Sequence, residues 1–197
     1  FTRDQKLNAV SDHMVDVIHT AVIDLGDHEA NRALVITAEG RYFTAGKDIG
    51  QMGEHASSGV ALRRNYRRLH EVFDEMERLE KPVILAAQGP CLGVGVEMGS
   101  SCDFRFATPR TTVGLPEVPV LAVLPGSGGI SRFTRLVGPH WARWVAMAGE
   151  NVDAAVERRK SAGQVRRRQR AGERREVGDD AEPAEALPEH RPPGHAE

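Results

Sequence analysis

The residues able to build a hydrophobic core run out near position 153 of this 197-residue chain, so any fold must be made by the part before it. From Ala154 to Glu197 there are 10 of the 26 basic residues, 9 of the 28 acidic ones and no aromatic residue. The only large aliphatics there are Val156, Val165, Val177 and Leu187. Such a segment buries too little apolar surface to offset the entropy lost on ordering it. The expectation is therefore one folded domain over residues 1–153, with a net charge of −3, and a disordered Arg/Pro/Glu-rich tail over 154–197. A domain of that length is of usual size.

The whole chain carries a formal net charge of −2, which gives no electrostatic reason to expect nucleic acid as a partner. No apolar run reaches the roughly 18 residues of a membrane helix, and no charged-then-apolar leader opens the sequence. A soluble, cytoplasmic, non-exported protein is expected, with no membrane partner. Cys91 and Cys102 are too few for a disulfide framework and read as buried free thiols. Neither CxxC nor HExxH spacing occurs, so no metal site is expected.

Along the folded part, Val10, Met14, Val17, Ile18, Ala21, Val22 and Leu25 recur at helical spacing and predict a helix over 9–25, closed by Gly26. Residues 33–37 predict a buried strand. A loop follows from Arg41 to Ser58, then a helix over 59–79 with Leu62, Tyr66, Leu69, Phe73 and Met76 on one face. Its arginines 63, 64, 67, 68 and 78 read as a solvated face rather than a grip on an anion. Lys81-Pro82 ends that helix, and residues 83–87 predict a second buried strand. A helix over 96–101, strands at 104–107 and 111–113, a Pro/Gly-rich loop, and helices over 130–137 and 139–148 complete the pattern. Strands alternate with helices, so the class is α/β.

Three features call for more than packing. Ala45-Gly46-Lys47-Asp48 is a glycine turn after a strand, either a plain surface turn or a place where backbone N–H groups meet a ligand. Gly93-Val94-Gly95-Val96-Glu97 lies between a strand and a helix start, where free N–H groups favour developing negative charge. Glycines 93, 95 and 99 do not make GxGxxG, and no Gly-Lys-Ser/Thr ending is present, which disfavours nucleotide binding. Glu97 and Glu117 are carboxylates in apolar surroundings; each alone could be an exposed residue, but together they suit paired acid and base work. Asp103, the rival carboxylate, reads as a structural turn or cap.

With these residues in view, the chain resembles the enoyl-CoA hydratase/isomerase (crotonase) superfamily over residues 1 to about 153. The matching strings are Lys6-Leu7-Asn8-Ala9-Val10, Phe43-Thr44-Ala45-Gly46-Lys47-Asp48-Ile49, Lys81-Pro82-Val83-Ile84, Gly93-Val94-Gly95-Val96-Glu97, Cys102-Asp103, Gly114-Leu115-Pro116-Glu117-Val118, Leu124-Pro125-Gly126-Ser127-Gly128-Gly129 and Arg135-Leu136-Val137-Gly138. Each is weak; their order and spacing together are specific. The resemblance implies a spiral of β-β-α units, assembled as a homotrimer or hexamer, that binds acyl-CoA thioesters. It implies no cofactor, since coenzyme A is part of the substrate.

Carried over by motif position, the resemblance puts the backbone donors of an oxyanion hole at Lys47 and Val94. Many relatives have glycine or alanine at the position of Val94, so its side chain must point away from the ligand. The same resemblance puts Ala45, Lys47, Asp48, Ile49 and Gly50 along the CoA channel and Lys6 near the nucleotide phosphates. Both hydratase glutamates are matched, by Glu97 as base on a water and Glu117 as acid toward the α carbon. Hydration of a 2-enoyl thioester is the implied reaction. The alternatives are another crotonase reaction, isomerisation or thioester hydrolysis, or a truncated non-catalytic remnant.

Phe1-Thr2-Arg3-Asp4 resembles the end of the family's first strand, so the start is expected to be missing. At the other end the family pattern is lost at about Val156, where Arg158-Arg159-Lys160 and Arg166-Arg167-Arg168 stand instead. The family's C-terminal helices are thus expected to be missing or replaced. An out-of-frame reading of a GC-rich coding region accounts for this composition; the alternative is an evolved basic tail for an anionic partner. The coding sequence decides: the first explanation requires another frame that encodes the family's Gly-Leu-Val-type continuation.

Overall fold

The computed structural model describes residues 1–56 and 58–153. A 3₁₀ turn (Asp4–Lys6) and helix α1 (Asp12–Asp27) lead into three successive β-β-α turns. The first has strand β1 (Leu34–Thr37), an extended segment through Thr44, and helices α2 (Ile49–Ala56) and α3 (Gly59–Arg78). The second has β2 (Val83–Ala87), β3 (Cys91–Leu92) and α4 (Val94–Ser100). The third has β4 (Phe104–Ala107), β5 (Thr112–Gly114), α5 (Glu117–Leu121), α6 (Gly129–Val137) and α7 (Pro139–Arg143), which runs on into a π-helical turn (Trp144–Ala148). Strand β6 (Val152–Asp153) ends the described region.

Each turn gives one strand to each of two sheets. The first sheet is parallel, in the order β1-β2-β4, with Ile36 opposite Leu85 and Leu85 opposite Arg105. In the second, β3 pairs parallel with β5, and β6 joins antiparallel. Isolated parallel bridges Thr44 to Cys91 and Val10 to Lys47 extend this second layer toward α1. This is the spiral that the resemblance implies.

Several expectations are corrected in detail. Helix α1 starts at Asp12, because the Ser11 side chain accepts the Met14 N–H at 3.3 Å, while Val10 stays extended against Lys47. It runs through Gly26, and its last carbonyls are held by Lys81, whose Nζ lies 2.6 Å from Leu25 O and 2.9 Å from His28 O. Strand β1 is not fully buried: Ile36 faces the core, but Val35 is 56% exposed. Val35, Ile84 and Phe104 are cross-strand neighbours on the face turned away from the α1 and α3 core, and Phe104 and Phe106 are exposed there too. The strand expected at 111–113 stands at 112–114, in a different sheet from β4. The loop expected over 41–58 contains α2, and the Pro/Gly-rich stretch contains α5. The expected tail, 154–197, lies outside the described residues. Among the described residues, no helix is long and apolar enough to cross a membrane.

The main core joins α1, α3, β2 and the base of α4, with Val22, Phe43, Phe73, Met76 and Val83 at its centre. A second cluster, including Val96, Leu115, Phe133 and Val145, packs α4 against α6 and α7. Between core and site stands Asn8, fully buried and in the left-handed region at φ 52°. Its Nδ2 donates to Glu39 O and Tyr42 O, both at 2.8 Å, and its Oδ1 accepts the Arg3 N–H at 2.8 Å. Asn8 thereby fixes the chain entering Phe43-Thr44-Ala45-Gly46. Asn8→Ala is expected to cost about 3 kcal/mol by removing three hydrogen bonds made by a fully buried side chain, measured as the loss of unfolding free energy in urea.

Candidate active site

Two glycine turns meet at the heart of the molecule. Gly46 has φ +108° and Gly93 φ +54°, conformations that disfavour any side chain. A Cβ on Gly93 would lie 3.5 Å from Gly46 Cα, so the two backbones are in contact. The first turn is held by Thr44, whose Oγ1 donates to Asn8 O at 2.8 Å and accepts the Gly46 N–H at 3.1 Å. The second is held by the Gly93 N–H, which donates to Gly114 O at 2.9 Å. Lys47 and Val94 follow the two glycines directly. Neither backbone N–H has a hydrogen-bond partner among the described residues. Both residues line one open cavity, together with Tyr66, Glu97, Glu117 and Ser127.

The two glutamates enter this cavity from different elements. Glu97, on α4, is 3% exposed, and its Oε1 accepts the N–H groups of Ser127 at 2.7 Å and Gly129 at 3.1 Å. Gly129 leaves it room: a Cβ there would lie 2.9 Å from the Glu97 carboxylate. Burial pushes the Glu97 carboxyl above its usual range, and the two N–H bonds oppose this only in part. Glu117 opens α5, and its Oε1 would touch a Cβ on Gly93 at 2.8 Å. Its buried Oε2 has no partner among the described residues. Burial first, and then the charge of Glu97, push Glu117 up to about 7. Two carboxyls with unlike hydrogen bonding thus share one desolvated space, an arrangement able to take one proton and deliver another.

Of the residues singled out in the sequence, the fold brings Lys47, Val94, Glu97 and Glu117 together and leaves the rest outside the cavity lining. Asp48 is paired with Arg3 at 3.0 Å, which holds its carboxyl below the usual range. The Ala45 N–H donates to Leu7 O at 3.0 Å, while Ile49 and Gly50 are exposed at the start of α2 and Lys6 is exposed on the 3₁₀ turn. Asp103 is structural, its Oδ2 accepting the Val83 N–H at 2.8 Å. Cys91 and Cys102 are buried and not joined in a disulfide, and burial pushes the Cys102 thiol up to about 12. Arg63, Arg64 and Arg67 are exposed; Arg68 pairs with Asp16.

Other site residues had no local signal. Tyr66 reads only as one apolar position of α3, yet its ring fills the space over Gly126 beside the glutamates. His70, one turn on, bonds Gly126 O at 2.7 Å. Arg132 is buried, pairs with Asp74 and Glu77 on α3, and donates to Ser127 O at 3.2 Å, bracing the loop that holds Glu97. Asp12 bonds both Lys47 and His55, and His55 itself lines the cavity.

A carboxyl raised from 4.5 to about 7 binds its proton more tightly in the folded state than in the unfolded one. The stability it contributes is present at acidic pH and is lost as pH rises through that interval. Glu117→Gln is therefore expected to lose less stability than the parent between pH 5 and pH 8, read from thermal melts at both pH values. An unchanged difference between the two melts would contradict the raised value.

These elements match known proteins. The family model described as enoyl-CoA hydratase/isomerase covers residues 1–159. A crotonyl-CoA hydratase of Syntrophomonas wolfei is 38% identical over 153 residues, 77% of this chain and 58% of the relative. A short-chain-enoyl-CoA hydratase of Clostridium acetobutylicum is 34% identical over the same shares. Among solved structures, an enoyl-CoA hydratase subunit of Geobacillus kaustophilus superposes with a TM-score of 0.73 at 34% identity, covering 81% of this chain and 60% of that one. An enoyl-CoA hydratase of Bacillus anthracis gives 0.74 at 27% identity, covering 80% and 60%. The chain thus spans about 60% of the length of these relatives. With its β-β-α spiral, its two apposed glycine turns and these matches, the chain belongs to the enoyl-CoA hydratase/isomerase (crotonase) family.

Proposed function

We propose that this chain is the core of a 2-enoyl-CoA hydratase, which adds water across the 2,3 double bond of an acyl-CoA thioester. The observation that carries the reading is the convergence of Glu97 and Glu117 in one cavity with the unpartnered N–H groups of Lys47 and Val94. The two hydratase names among the relatives point the same way. In this reading the two N–H groups donate to the thioester oxygen and grow stronger donors as it gains charge. Each such donor is worth a few kcal/mol in the transition state, about 10²–10³ in rate.

A water between the carboxyls gives a proton to Glu97 while its oxygen bonds to the β carbon. The π electrons of the double bond move onto the enolate held by Lys47 and Val94. Glu117, protonated near neutrality because of its raised pKa, then delivers its proton to the α carbon. A proton passed from Glu97 to Glu117 resets the pair. No cofactor enters this balance, because coenzyme A comes with the substrate. Lys6, Ala45, Asp48, Ile49 and Gly50 are assigned to the coenzyme A portion, which leaves the cavity past the start of α2.

Loss of the conjugated enoyl thioester absorbance with crotonyl-CoA follows the reaction, and a product heavier by one water with no free thiol released separates hydration from isomerisation and thioester hydrolysis. Glu97→Gln and Glu117→Gln are each expected to lower kcat by about 10²-fold or more, as loss of a positioned acid or base does. Full rates in both variants would sink the paired-carboxyl mechanism.

A further inference from the structure

Helix α2 covers the cavity with Met52 and His55, yet none of its residues is buried. It lies along α3 with Met52 half-buried, so no deeply buried side chain anchors it there. A set of polar ties reaches it from one residue of a different element. Asp12, the first residue of α1, accepts from Lys47 Nζ at 2.7 Å through Oδ1 and bonds His55 Nε2 at 2.8 Å through Oδ2. Its backbone N–H donates to Gln51 Oε1 at 2.9 Å. Gln51 and His55 are four apart, so both project from the same face of α2. Three bonds from one residue thus reach positions 47, 51 and 55.

We propose that Asp12 is a positioning residue, a clasp that sets the Lys47 peptide and α2 at the cavity so that the Lys47 N–H points at the substrate carbonyl. The proposal rests on the hydratase reading for the role of that N–H. The Lys47 side chain is only 9% exposed, and an ammonium so desolvated is costly without a counter-charge. Asp12 supplies that charge from the N-terminal turn of α1, which also favours a carboxylate. Burial raises its pKa, but the bonds from Lys47 and His55 and their charges outweigh this and keep it ionised. Without the carboxylate the ammonium must turn toward water and take the adjoining peptide with it. On the other side the peptide is pinned by Val10, whose N–H donates to Gly46 O at 2.8 Å and whose carbonyl accepts the Asp48 N–H at 3.0 Å. Asp12 is the side-chain half of that grip.

The test uses the full chain and Asp12→Asn, which keeps size and removes charge. Amide hydrogen exchange over 47–56 is expected to quicken about tenfold or more while β2 stays within about twofold. With crotonyl-CoA, kcat is expected to fall about tenfold and KM to change by no more than about threefold, since an oxyanion donor acts mainly in the transition state. Lys47→Met alone lowers kcat, and adding Asp12→Asn to it costs no more than about twofold further, because the two act as one unit. If Asp12→Asn does not fold, His55→Leu breaks one tie, leaves Lys47 paired, and is read by the same exchange experiment. Unchanged exchange over 47–56, or full kcat in Asp12→Asn from an active parent, overturns the clasp alone. A parent that hydrates no enoyl-CoA overturns the hydratase reading, and the positioning role falls with it.

Discussion

The contact between the Gly46 and Gly93 turns is the constraint on which the rest of the site depends. The first lies at the end of the extended segment after β1, the second between β3 and α4, and only glycine lets the two backbones approach so closely with these φ values. Their approach leaves the Lys47 and Val94 N–H groups beside the cavity without partners among the described residues. The surrounding bonds serve this one contact. Asn8 and Thr44 fix the first turn from below, and Gly114, three residues before Glu117, fixes the second.

Around that contact the fold gathers polar groups that do not stabilise it. Glu97 and Glu117 are desolvated close enough for one to raise the pKa of the other, and Glu117 has a carboxyl oxygen with no partner among the described residues. Burying such groups costs stability that the two hydrophobic clusters must offset. The cost is limited at Glu97, where N–H groups at and before the start of α6 take up one oxygen, and Arg132 secures that loop to α3. Glu117 is left freer, which suits the proton-delivering role proposed for it.

Elements with a strong repeating pattern were legible in the sequence. Helix α3 runs over 59–78, as its apolar spacing predicts, and β2 stands at 83–87 with its faces alternately buried. Elements shaped by tertiary contacts were not. Helix α2 has no buried face to leave a periodic trace, and β3 has two residues whose pairing with Thr44 and β5 is entirely long-range. Strand β1 looked like a buried strand because it is apolar, but one of its faces is open, a matter of what covers the sheet rather than of the strand itself.

The sequence by itself determined the family, the β-β-α order and the four positions that meet in the cavity, because ordered motifs survive in a linear reading. Only the tertiary structure decided which polar residues stand behind them. Asp12 with Lys47 and His55, and Arg132 with Asp74, join residues 35, 43 and 58 positions apart. Nothing in local spacing encodes such pairs, since they arise when a winding chain lays successive turns side by side and desolvated charges there must find partners.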